Sequence, residues 1–346
     1  MKLSERDKAL QGAVANINKT FGNGTVIQLG KQNPEPCEVF PTGFVTADYK
    51  VIGAGGIPRK RITELYGPEG GGKTTLALHT IANAQAAGGR ALFIDVEHAF
   101  NPLYAKAIGV DVGNMYMSQP DYGEQALQIA ETFIDSGGID IIVVDSVAML
   151  TPKDEFEGEI GDARVGTLAR MVSQALRKLT SKIRKANIAF IFINQIVDKI
   201  GTMGYGEQTT TTGGHKLKHI ASLRLEVRKI SQLKIGEKVI GSRVRLRAPK
   251  NRVGDPYQDG ELDLLFGYGF SKEADVIDYG IELGVLKKEG AWYLFDGSNL
   301  EHGREKTRML LKEHPGTYER IRQLVIEEVA RRKEANDDQA NQRTAE

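Results

Sequence analysis

Residues 67–75 read GPEGGGKTT, and Gly67, Gly72, Lys73 and Thr74 fit the spacing G-x-x-x-x-G-K-[ST]. A phosphate chain is a dense anion, and backbone can wrap it only where side chains are absent. Gly70, Gly71 and Gly72 permit the turns, and a helix starting behind them points its free N–H groups at the anion. Lys73 would then reach the β- and γ-phosphates, and the Thr74 hydroxyl would complete the shell of a Mg²⁺ ion. Pro68, Glu69 and Thr75 lie in the same loop and count among its nucleotide-binding residues. The chemistry marked here is the binding of a nucleoside triphosphate.

Such a loop needs a strand before it and a helix after it, and the flanks supply both patterns: Ile62 and Leu65 ahead, Leu76, Leu78 and Ile81 behind. From residue 37 to 270, apolar runs alternate with helical patterns, which predicts an α/β domain on a twisted, mostly parallel sheet. Three apolar strands end in polar residues: 91–94 in Asp95 and Glu97, 139–144 in Asp145 and Ser146, 188–193 in Asn194 and Gln195. Ligands of such sheets bind at the carboxyl ends of strands, so these residues should crowd round one phosphate site. Asp145, after IDIIVV, suits a carboxylate that holds Mg²⁺ through water, or a helix cap. Glu97 is a candidate general base, with Asp95 a competitor on position alone. Gln195 suits a γ-phosphate contact, or an amide that satisfies backbone groups.

The chain has 346 residues, of which 40% are hydrophobic, enough for a sizeable core. Its 46 basic and 45 acidic residues nearly cancel, so total charge announces no polyanion partner. One cysteine, Cys37, excludes an intrachain disulfide framework and fits a reducing compartment. No apolar run suits a signal peptide or a membrane span, so a soluble, cytoplasmic protein without membrane contact is expected.

Residues 1–36 carry Leu10, Val14, Ile17 and Phe21 at helical spacing, then a short strand over 25–29. That apolar face must be buried on the chain's own core or on a neighbouring subunit. Within 37–270, residues 154–166 and 196–214 read as irregular loops, the second rich in Gly and Thr. An amphipathic helix lies between them, with Leu168, Met171, Val172, Leu176, Leu179 and Ile183 inward and Arg170, Ser173 and Arg177 outward. Residues 216–252 hold twelve lysines and arginines against Glu226 and Glu237, an asymmetry that favours a polyanion partner. Residues 271–332 read as a small α+β domain, and 333–346 as a disordered polar tail.

Taken together, GAGGIP, GPEGGGKTTLALH, FIDVEHAF, IIVVDSVAMLTPK, EGEIGD, FINQI, TTTTGG and GAWY make the chain resemble the bacterial RecA family of DNA-strand-exchange recombinases over residues 5–330. The resemblance implies a RecA-like P-loop core that takes ATP and Mg²⁺. Glu97 would be its catalytic glutamate, Asp145 the Mg²⁺-linked aspartate and Gln195 the γ-phosphate sensor. Tyr104 would stack on adenine, with Asn101 where the family commonly has aspartate. The two loops would bind DNA through Gly158, Arg164, Val165, Ile200, Thr211, Gly213 and Gly214, joined by Arg170, Ser173 and Arg177. Lys250 and Arg252 would reach the ATP of the next subunit, Arg252 replacing a usual lysine, and His219 replaces an aromatic that often links subunits. The N-terminal helix would dock on the adjacent protomer. Implied partners are single-stranded DNA, double-stranded DNA, further copies in a helical filament, and a damage-response repressor that the filament induces to cleave itself. A hexameric RecA-like helicase or motor, and a non-catalytic DNA-coating protein, are the alternatives.

Overall fold

The computed structural model describes residues 4–28, 37–159, 166–198 and 209–345. The chain divides into two compact units, Met1–Cys37 and Glu38–Glu346. The first is built on helix α1 (Glu5–Phe21). Ser4 starts it reciprocally: its hydroxyl accepts from the Asp7 N–H, and the Asp7 carboxylate accepts from the Ser4 N–H. No residue of α1 is buried, and Phe21 is 75% exposed. Of the strand expected at 25–29, none forms over the described residues 25–28: the chain turns and bends through Val26 and is irregular at Ile27 and Gln28, and Leu29 lies outside the described residues. Val26 finds side-chain partners instead of a ladder, its N–H and C=O both bonded to the Asn18 amide at 2.9 and 3.2 Å.

In the second unit, β1 (Val39–Phe40) and β2 (Ile57–Pro58) form a small antiparallel ribbon around a π-helical turn, Thr46–Val51. β3 (Arg61–Gly67) enters the glycine loop and α2 (Lys73–Ala86) leaves it. β4 (Ala91–Asp95), α3 (Pro102–Ile108), β5 (Met115–Ser118), α4 (Gly123–Ser136) and β6 (Ile141–Asp145) continue the alternation. Then come α5 (Lys153–Phe156), α6 (Thr167–Ala186), β7 (Ala189–Asp198), β8 (Thr209–Thr211) and α7 (His215–Ile220). β9 (Leu223–Ile235), β10 (Lys238–Asn251), β11 (Gln258–Leu265) and β12 (Gly269–Phe270) complete the sheet.

Its strand order is β12-β11-β10-β9-β3-β7-β6-β4-β5, with β3 central. From β9 to β5 every neighbouring pair is parallel, and from β9 to β12 every pair is antiparallel. Alternate residues of the same strands enter different cores. Ile141, Val143 and Ile191 pack with Leu76, Leu78 and Ile81 of α2; Ile142, Val144, Phe190 and Phe192 pack with α4 and α6 through Leu127, Ile134, Val172 and Leu176. Because both faces are covered, these strands read as unbroken apolar runs.

Two sequence expectations are corrected here. The third strand does not stop at Ile193 but continues through Asn194 and Gln195 to Asp198, and β8 pairs with it, Ile196 opposite Thr211. The ends of the 196–214 loop are therefore laddered, since β-branched Ile, Val and Thr favour extended chain. The basic run at 216–252 is also less free than its composition suggests. Arg243, Arg245 and Arg247 of β10 stand opposite Asp263, Glu261 and Asp259 of β11. Arg243 bonds Glu261, Asp263 and Asp278 at 2.7–2.9 Å, and Arg224 bonds Glu64 at 2.5 Å.

The remainder is helix α8 (Lys272–Leu283), the antiparallel strands β13 (Lys287–Glu289), β14 (Trp292–Phe295) and β15 (Ser298–His302), then α9 (Arg304–Glu313) and α10 (Pro315–Ala345). Ile277, Tyr293, Leu311, Ile321 and Val325 form its core. The tail expected to be disordered from 333 is the second half of α10. Residues 331–345 contain no Gly or Pro and many good helix formers, and Glu328 bonds Arg331 and Arg332 one turn on, both at 2.7 Å. No helix among the described residues is long and apolar enough to cross a membrane.

Two buried aspartates tie the π-helical turn to its neighbours and make stability depend on pH. Asp48 accepts from the Thr42 N–H and hydroxyl at 2.9 and 2.7 Å, and Asp275 of α8 accepts from the Thr46 N–H at 3.2 Å. Burial pushes each carboxyl up to about 7. A group that binds its proton more tightly when folded contributes stability below its unfolded value, and that contribution is lost as pH rises through the folded value. Stability contributed by Asp275 should therefore fall between pH 4 and 7, by on the order of 4 kcal/mol in all. Asp275→Asn cannot ionise, so its stability relative to wild type should improve from pH 5 to about pH 7 and then level off in urea titrations. A constant difference across that range would contradict the assignment.

Candidate nucleotide site

The site forms where β3, β4, β6 and β7 end. A cleft of about 230 Å³ is lined by residues 69–75 together with Glu97, Asp145, Gln195 and Leu264. Close packing dictates the glycines. A Cβ on Gly71 would stand 2.6 Å from the Val227 carbonyl oxygen, and one on Gly72, at φ 94°, would meet the Phe270 ring at 2.9 Å. α2 then begins at Lys73 with no side-chain cap, leaving its first N–H groups to the cleft.

Lys73 is 8% exposed and donates to the Gly67 and Pro68 carbonyls at 3.1 and 2.8 Å. Burial lowers its affinity for a proton, while Asp145, Glu97 and Glu69 work in the opposite direction. Thr74 donates its hydroxyl to Asp145 at 2.6 Å. Burial, opposed by that bond, pushes the Asp145 carboxyl up to about 6. The peptide bond between Asp145 and Ser146 is cis. Glu97 Oε1 accepts from Ser146 Oγ at 2.5 Å and from Gln195 Nε2 at 2.9 Å. Residues as far apart in sequence as Lys73 and Gln195 thus converge on one anion-sized space.

Asp95 and Glu97 differ in their partners. Asp95, 2% exposed, accepts from the Ala99 and Phe100 N–H groups at 3.2 and 3.1 Å and from Gln119 at 2.9 Å. Its oxygens hold the β4–α3 turn, whereas Glu97 faces the cleft. Asn101 caps α3, accepting from the Leu103 and Tyr104 N–H groups at 3.0 Å, and the Tyr104 hydroxyl bonds Thr75 at 3.1 Å.

Lys250 and Arg252 do not line this cleft. Lys250 donates to the Lys218 and His219 carbonyls at 2.6 and 2.7 Å, and Arg252 to His219 at 3.4 Å, so both cations close the end of α7. Burial and the neighbouring Arg252 and Arg224 lower the proton affinity of Lys250. Of the expected DNA contacts, Arg170 and Arg177 are exposed on α6 with Ser173 half-buried between them. Thr211 is buried in β8, its hydroxyl without a hydrogen-bond partner among the described residues. Gly213 and Gly214 pack so closely that an added Cβ would meet Val147 and Ala169 at 2.7 and 2.9 Å. Gly158 follows α5; Arg164, Val165 and Ile200 lie outside the described residues.

Sequence reasoning placed Ser146 and Asn194 at the site without giving them a role, and missed Glu64 altogether. Ser146 bonds the candidate base. Asn194 donates to Glu64 at 2.9 Å and accepts from the Gln195 N–H at 2.9 Å and from the Thr212 hydroxyl. Glu64, 0% exposed, also accepts from Arg224. The available signal was a glutamate inside the otherwise apolar strand leading to the glycine loop, since an acid buried there demands partners.

A mostly parallel sheet with this loop at its carboxyl edge defines a P-loop nucleoside triphosphatase. Residues 8–271 match the family model of the RecA N-terminal domain and residues 274–330 that of the RecA C-terminal domain. Protein RecA of Nautilia profundicola is 51% identical over 322 residues, covering 93% of this chain and 92% of the relative. Protein RecA of Macrococcus caseolyticus is 50% identical over 323 residues (93% and 91%), and that of Streptomyces avermitilis 48% over 326 (94% and 86%). The chain belongs to the RecA family, and is a DNA-binding, DNA-dependent ATPase of recombination and repair.

Proposed function

We propose that this protein polymerises with ATP on single-stranded DNA, admits a homologous duplex and exchanges strands. The observation that carries the reading is the shared bond between Glu97 and Gln195. It links a hydrolytic group to the strand that runs directly into residues 199–208 of the second loop. Glu97 orients and deprotonates the attacking water, Gln195 senses the γ-phosphate, and Lys73 binds the β- and γ-oxygens. Loss of the γ-phosphate frees Gln195 and, through β7, loosens the loop on DNA.

The Thr74 hydroxyl and the Asp145 carboxylate, 2.6 Å apart, offer the hard oxygen donors that Mg²⁺ takes beside phosphate. Bound there, Mg²⁺ supplies charge neutralisation across the phosphates. Tyr104 and Asn101 flank the adenine side. Lys250 and Arg252 act on the neighbouring subunit's ATP, in the manner of a finger supplied in trans. Gly158, Arg164, Val165, Arg170, Ser173, Arg177 and Ile200 form the DNA surface, with buried Thr211 and the close-packed Gly213 and Gly214 setting the end of its second loop. The exposed apolar face of α1 docks on the next copy, the C-terminal domain collects duplex DNA, and the cytoplasmic filament promotes self-cleavage of a damage-response repressor.

The deciding assay mixes circular single-stranded DNA with homologous linear duplex, with and without ATP and Mg²⁺. Joint molecules should appear only with both. Steady unwinding of forked duplex by closed rings, without pairing, would establish a motor instead. Coating of DNA without ATP turnover would establish a non-catalytic binder.

A further inference from the structure

We propose that Ser146 is a positioning residue for hydrolysis, its hydroxyl holding the Glu97 carboxylate in place while Gln195 engages the γ-phosphate. This rests on Glu97 acting as the base. Glu97 Oε1 accepts from two donors whose anchoring differs. Ser146 is 0% exposed and follows Asp145 at the end of β6. The Asp145 carbonyl in turn accepts from the Val96 and Glu97 N–H groups at 2.7 and 3.3 Å. Glu97 is therefore fastened to the end of β6 by backbone and by side chain together.

Gln195 is half-buried, on a strand that continues into the second loop. A sensor must change partners to report anything, and its amide cannot keep an unaltered grip on Glu97 while it contacts phosphate. Ser146 has no second task in the cleft, whose lining does not include it. Its single proton keeps Oε1 occupied in either arrangement. Among the described residues nothing donates to Oε2, which leaves that oxygen for the attacking water. Serine removes the freedom of the carboxylate to swing away at the moment Gln195 departs.

Ser146→Ala in the full chain on single-stranded DNA should lower kcat for ATP hydrolysis about 10- to 100-fold, the scale of a misplaced catalytic group. KM for ATP, and affinity for a non-hydrolysable ATP analogue, should stay within about 2-fold. In a Glu97→Gln background, where there is no base to position, the same substitution should cost nothing further in single-turnover hydrolysis. An unchanged kcat beside an inactive Glu97→Gln would overturn the positioning role alone. So would an equal loss in both backgrounds, or loss of analogue binding, since each marks a structural role. Wild-type turnover in Glu97→Gln would instead overturn the assignment of the base.

Discussion

Lys73→Ala should abolish ATP-dependent strand exchange and weaken ATP binding by on the order of 10²- to 10³-fold. The cleft is lined by Glu69, Glu97 and Asp145, and Lys73 is the only lysine or arginine among its lining residues. Its ammonium already lies against the Gly67 and Pro68 carbonyls, at the mouth of the glycine turn. Replacing it with alanine would leave three carboxyl groups beside a polyanion with no cation lining the cleft, and around buried Asp145 charges are weakly screened. The backbone cradle and the α2 N-terminus would survive the change, so residual binding should remain while filament activation is lost. Calorimetric titration with ATP, run beside the strand-exchange assay, measures both. Unchanged affinity and exchange would remove the loop from the mechanism.

The second large effect is on turnover. Glu97→Gln should reduce single-stranded-DNA-dependent hydrolysis by ~10²- to 10⁴-fold, the usual contribution of a positioned base. ATP affinity should be nearly unaltered. Glutamine keeps the size of the side chain and an oxygen that can accept from Ser146 and Gln195, but it cannot take a proton from water. Filaments of this variant should accordingly assemble with ATP and dissociate slowly, because the γ-phosphate that maintains them is not removed. Dissociation after dilution, followed by light scattering, reads the second effect. Normal turnover would return the role to another group. Asp95 is a poor candidate, because three donors already occupy its carboxylate.

Much of this site was legible in the chain. Glycine spacing, a lysine and a hydroxyl at fixed offsets, and acids closing apolar strands are local patterns, and each has a local cause. The alternation of Ile141 to Val144 between two cores is likewise a consequence of the two-residue period of a strand. What stayed ambiguous concerned groups whose partners are remote. Asp95 and Glu97 are equivalent by position, and only Ala99, Phe100 and Gln119 on one side and Ser146 and Gln195 on the other tell them apart.

The same division holds elsewhere in the chain. A segment's charge is written in its composition, but its freedom is not: the arginines of β10 face an acidic strand whose register only the folded sheet sets. The partner of buried Glu64 is Arg224, 160 positions away, and no local window contains both. Composition alone also described residues 333–346 as a tail, although helix formers that continue α10 without a Gly or Pro have nothing to stop them. Sequence by itself determined the phosphate loop, the mostly parallel sheet and the polar residues that end its strands. Tertiary structure decided which oxygen meets which donor, because hydrogen bonds and ion pairs depend on distances that chain periodicity does not encode.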